Sequence, residues 1–152
     1  MNFTKKNWFH ASVIALFSIF YAIVFIVSSN SIEFTRLLNH ATTLNSGFWN
    51  NWSDFLKQGN LQYIGYLYIL FAVLIVIFSI VKRRDYDEYQ RSLLGKGILA
   101  SGIAMMFLLP LCLLLVLSDS NYSVESILFL IVAHWSILLI ADLVFVIRWC
   151  RD

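Results

Sequence analysis

Lys82-Arg83-Arg84-Asp85-Tyr86-Asp87-Glu88-Tyr89-Gln90-Arg91 is the densest run of charge in a chain of 152 residues. On each side of it lie two long apolar runs with almost no charge. A short basic turn between two such pairs reads as the cytoplasmic connection of a membrane protein. The expected fold is therefore all-α: an integral membrane four-helix bundle, one domain over residues 1–152. Composition agrees. The chain is 60% hydrophobic and 13% charged, roughly half the charge of an average soluble domain. One proline and six glycines argue against a loop-rich chain. A net charge of +2 gives no reason to expect nucleic acid as a partner.

The apolar runs cover residues 11–27, 61–81, 97–117 and 124–147. With their flanks they predict membrane helices over about 8–28, 61–81, 93–117 and 124–147, since about 20 helical residues cross the hydrocarbon. An outer loop (29–60), an inner turn (82–92) and an outer turn (118–123) connect them. The first run follows Lys5 and Lys6 and could be a secretory signal, but it is too long for a signal core, so an uncleaved first helix is expected. Placing the N-terminus inside puts Lys5, Lys6, Lys82, Arg83, Arg84, Arg91, Lys96, Arg148 and Arg151 at the inner side, with only Arg36 and Lys57 outside. This bias predicts both termini in the cytoplasm. Trp8, Tyr86, Tyr89 and Trp149 then fall at the inner interface, and Tyr63, Tyr66 and Tyr122 at the outer one. Their rings each carry one polar atom, which suits the headgroup region.

The outer loop has helical signals of its own. Asn30 with Glu33 fits a capping box, and Phe34, Leu37, Leu38 and Ala41 share a face behind it. After Ser46-Gly47, the residues Phe48, Trp49, Trp52, Phe55 and Leu56 form a second amphipathic set, stopped by Gly59. Such short helices lie on the membrane surface or pack over the bundle. The rival expectation makes Phe48, Trp49, Trp52 and Phe55 an outer docking surface for another protein. In the inner turn, Asp85 with Glu88 predicts a helix start near Tyr86, followed by an Asp87–Arg91 pair. Ser123 is the expected N-cap of the last helix, with Glu125 in its first turn.

Ionisable groups inside apolar helices are the first place to look for chemistry, because each is costly there unless paired. They are Lys96, His134 and Asp142, a candidate intramembrane polar network. Depth counted from the inner ends predicts an Asp142–Lys96 ion pair, with Arg148 as the competing partner. His134 is expected to hydrogen-bond to a neighbouring helix. Gly97, Ser101 and Ala104 form a candidate helix-packing face, with Gly95 and Gly102 on adjoining faces. Pro110 is expected to kink the third membrane helix. Cys112 and Cys150 lie too far apart in the topology for a disulfide. His10, His40 and His134 sit at three depths, which disfavours a haem or zinc site, so no cofactor or metal is expected.

Enzyme motifs are absent: there is no HExxH, GxSxG, P-loop or dinucleotide fingerprint. A non-enzymatic role is therefore expected. The layout is similar to that of pore-forming colicin immunity proteins and phage exclusion proteins: small, multi-pass, with a basic inner turn and no shared motif beyond that. This implies a protein that binds another membrane protein, as an accessory subunit or as an immunity or exclusion factor. The alternative is a homo-oligomeric channel or small transporter using Asp142 and His134. Frequent Asn, Ile, Phe, Lys and Ser fit an AT-rich bacterial gene, with the cytoplasmic membrane as its address.

Overall fold

A computed structural model describes residues 7–38, 46–81 and 87–151. The described residues form six α-helices and one 3-10 turn: α1 (Asn7–Ser29), α2 (Ile32–Leu37), α3 (Gly47–Lys57), α4 (Leu61–Val81), α5 (Glu88–Ser118), the turn Ser120–Tyr122, and α6 (Ser123–Arg151). Four of these helices are long and apolar enough to cross a membrane. The all-helical membrane bundle follows from the physics that the sequence displays: in hydrocarbon a backbone must satisfy its own hydrogen bonds, and a helix does so within one segment.

The helices form two hairpins. α1 pairs with α4, α5 pairs with α6, and the α4–α6 contact joins the pairs. Gly65 marks the tightest part of the first hairpin, where an added Cβ would stand 3.0 Å from the Ala22 carbonyl oxygen. Phe25 and Tyr68 fill the space beside it, with ring centroids 5.7 Å apart and 1% exposure each. At the top of this hairpin Gly59 takes φ +72°, the left-handed conformation that ends α3 and turns the chain into α4.

α6 is the central helix. Trp135 Nε1 donates to Ser18 Oγ on α1, and Tyr68 on α4 donates to the Val132 carbonyl while sharing a hydrogen bond with Ser136. α5 touches mainly α6: 11% of its apolar window is buried, against 28% for each of the other three spanning helices. The bundle is thus a packed trio with a fourth helix leaning on one member.

Several local expectations shift. α5 begins at Glu88 with Asp87 as its N-cap and Gln90 completing the capping box, two residues later than the Asp85 reading. Asp85 itself, with Lys82, Arg83, Arg84 and Tyr86, lies outside the described residues. So do Lys5, Lys6, His40, Ala41 and the side chains of Trp8, Trp149, Cys150 and Arg151. α2 starts one residue later than predicted: Ser31 accepts from the Phe34 amide, while Asn30 donates to the Ile26 carbonyl at the end of α1. α2 also stops at Leu37, which is 65% exposed, while Phe34 and Leu38 of the expected face pack into the core. Pro110 lies inside α5, which is assigned as helix without a break.

Candidate functional site

The most constrained polar contact in the membrane-spanning region joins α1 to α6. His10 Nε2 lies 2.8 Å from Asp142 Oδ1, with side-chain exposures of 15% and 3%. Phe145, one turn further along α6, stands edge-on to the His10 ring. The second Asp142 oxygen, Oδ2, is buried and has no hydrogen-bond partner among the described residues. A carboxylate removed from water needs both oxygens satisfied, so this pair is half-complete.

Lys96 is not the partner of Asp142. It sits at the expected depth, since its neighbour Gly97 packs against Ala141, where an added Cβ would meet the Ala141 Cβ at 3.3 Å. But Gly97 and the buried Ser101 define the side of α5 that faces α6. Lys96 precedes Gly97 by one residue and is turned about 100° from that side; it is exposed. Arg148 is exposed as well and makes no ion pair with Asp142 among the described residues. His10 was readable as the partner by counting from the outer ends. It stands 29 − 10 = 19 residues from the end of α1, and Asp142 stands 142 − 123 = 19 from the start of α6.

His134 does not meet the expectation of a cross-helix hydrogen bond. Its Nδ1 is buried with no partner among the described residues. The polar groups that α1 and α4 offer at this level, Ser18 and Tyr68, are taken by its neighbours Trp135 and Ser136. Lys96, His134 and Asp142 therefore do not form one network.

A crevice opens beside the His10–Asp142 pair, between α1 and α5, with α6 as its floor. Its inner chamber has a volume of about 200 Å³, and Val13, Ile14, Leu94, Ile98 and Leu138 wall it with Asp142 at its base. A second chamber of about 290 Å³ continues along α1 and α5 past Gly95 to Arg91. His10 lines both. Gly95 leaves the second chamber wide, because nothing lies within 4 Å of where its Cβ would be.

The candidate packing face behaves as an internal seam. Gly97 and Ser101 are closed against the bundle and Ala104 is half-buried. Small residues here let α5 and α6 approach closely. Gly102 faces open space instead.

The aromatic set of the outer loop packs inward. Phe48, Trp49 and Trp52 surround Phe129 of α6 at centroid distances of 5.3, 5.5 and 5.8 Å, and Trp52 stacks on Phe55. Trp52 Nε1 donates to the Glu125 carbonyl at 3.0 Å. Ser53 Oγ donates to the fully buried Glu125 carboxylate, and Tyr122 OH donates to Asn50. α3 is thus a cap on the end of the bundle where α6 begins. Of the four residues expected to form a docking surface only Phe48, at 54%, is exposed. The sequence pattern for a helix on a bundle and for one offered to a partner is the same, which is why periodicity alone left both open.

Compared with protein-family models, with curated proteins and with solved structures, the chain matches none.

Proposed function

We propose that this chain is a small multi-pass protein of a bacterial cytoplasmic membrane, with both termini inside, that acts by binding another membrane protein through the outward face of α5. The orientation rests on the nine inner against two outer basic residues. The docking face rests on one observation: α5 buries only Ser101 and Cys112 of its own residues, although it spans Glu88–Ser118. Gly102 lies on its open side, with no atom where a Cβ would reach. A partner helix can approach the α5 backbone closely at that point, and close approach is what drives helix association in lipid. The accessory, immunity and exclusion readings all share this mode of action.

The test is site-specific photocrosslinking from Leu109 and Met106 in native membranes, followed by mass spectrometry of the adduct. A single heterologous membrane protein, lost in a Gly102→Leu variant of undiminished thermal stability, is the expected result. Adducts of this chain with itself would replace the proposal with the homo-oligomeric reading. Crosslinks to lipid alone would overturn both.

A further inference from the structure

We infer that the crevice between α1 and α5 is a binding site for a small monovalent organic ammonium ion with an apolar body, held by Asp142. Three features converge on that chemistry. The first is the carboxylate: Asp142 is 3% exposed, lines the inner chamber, and has one oxygen engaged by His10 at 2.8 Å and the other with no partner among the described residues. A buried carboxyl oxygen without a donor calls for one, and an N–H that carries positive charge satisfies it best. The second is the wall. Val13, Ile14, Leu94, Ile98 and Leu138 present alkyl surface, so the rest of the ligand must be apolar. The third is Arg91, which stands where the outer chamber begins, about 9 Å inward of Gly97 along α5. A second positive charge on the ligand would meet the guanidinium there, which restricts the site to monocations.

The size fits. The inner chamber of about 200 Å³ holds a ring or short chain, and the outer chamber gives it a path in past Gly95. His10 is both the present partner of Asp142 and a wall of both chambers, so it is the residue an entering ammonium displaces or shares. This inference does not depend on the α5 docking face.

Isothermal titration of the purified protein in detergent, corrected against empty micelles, tests it with cyclohexylamine at neutral pH. Cyclohexanol, equal in shape but uncharged, and 1,4-diaminocyclohexane serve as comparison ligands. Saturable binding of the monoamine is expected, with the alcohol and the diamine weaker by about tenfold or more. Asp142→Asn should weaken the amine by about tenfold. Gly95→Leu fills the entry without touching Asp142 and should weaken it without lowering thermal stability, so the site stays testable even if the Asp142 variant does not fold. Absence of saturable amine binding, equal affinity for amine and alcohol, or an unaffected Gly95→Leu variant would each overturn the assignment.

Discussion

A double-mutant cycle on His10 and Asp142 tests the reading that this pair, and not an Asp142–Lys96 bridge, ties α6 to a neighbouring helix. The magnitude can be bracketed from the geometry. Two unit charges 2.8 Å apart attract by roughly 6 kcal/mol at an effective dielectric of about 20, which is a ceiling before desolvation is subtracted. Neutral cross-helix hydrogen bonds in membranes couple by only about 0.6 kcal/mol, which is the floor. His10 keeps 15% of its surface exposed, so the coupling should fall between the two, at about 2 kcal/mol. The single variants should be unequal. His10→Leu leaves a buried carboxylate without its partner and should destabilise by about 3 kcal/mol, whereas Asp142→Leu removes the charge itself and should lose about 1 kcal/mol. The double variant should lose less than the sum, because replacing a buried ion pair by apolar residues is often close to neutral. Reversible unfolding by dodecyl sulfate in mixed micelles gives all four corners of the cycle. Additivity within about 0.5 kcal/mol would refute the pair. So would a coupling of similar size between Asp142→Leu and Lys96→Met, which the geometry requires to be additive.

Two glycines separate packing from propensity. Gly65→Ala forces a methyl to within 3.0 Å of the Ala22 carbonyl, so the α1–α4 hairpin should lose about 1–3 kcal/mol in the same unfolding assay. Gly102→Ala meets open space and should gain about 0.5–1 kcal/mol from reduced backbone freedom; a reversed order would show that the two helices are placed wrongly. At the outer end, Ser53→Ala deprives the buried Glu125 carboxylate of a donor and should lose about 1–3 kcal/mol. Trp52→Phe keeps the stack on Phe55 but loses the bond to the Glu125 carbonyl, at about 1 kcal/mol. If both changes leave stability untouched while abolishing partner capture, α3 is a docking element after all.

The four spanning helices were legible because hydrophobic length needs no knowledge of which way a helix faces. The apolar run 61–81 matches α4 residue for residue. Capping was legible to within two residues, since Asp85 and Asp87 each have an acceptable box partner three positions on, and Asp87 is the N-cap of α5. What the sequence could not carry was rotation. Lys96 and Gly97 share a depth and differ by one residue, yet only Gly97 faces α6. The same limit applied to α3, whose aromatic face could have pointed to lipid, to a partner or to Phe129. Depth counted from the inner ends does not bring His10 level with Asp142. The outer ends, fixed by Ser29 and Ser123, give the match with Asp142 directly.

The distribution of polar contacts explains why α5 differs from the rest. Three sets of cross-helix polar contacts end on α6: Trp135 with Ser18, Tyr68 with Val132 and Ser136, and Asp142 with His10. α5 makes no side-chain hydrogen bond or ion pair to another helix among the described residues. Within lipid, apolar contact between helices has no hydrophobic driving force behind it, so α5 is held by close packing at Gly97 and Ser101 and by the short turn at Ser120–Tyr122. It can therefore shift against α6 without breaking a buried polar contact. It is also one wall of the crevice above Asp142, through Leu94, Gly97 and Ile98. A partner seated on the outward face of α5 and an ammonium ion in the crevice would thus act on the position of the same helix. Because binding linkage is reciprocal, a partner that draws α5 outward and weakens amine binding must itself be bound more weakly, by the same factor, when the amine is present.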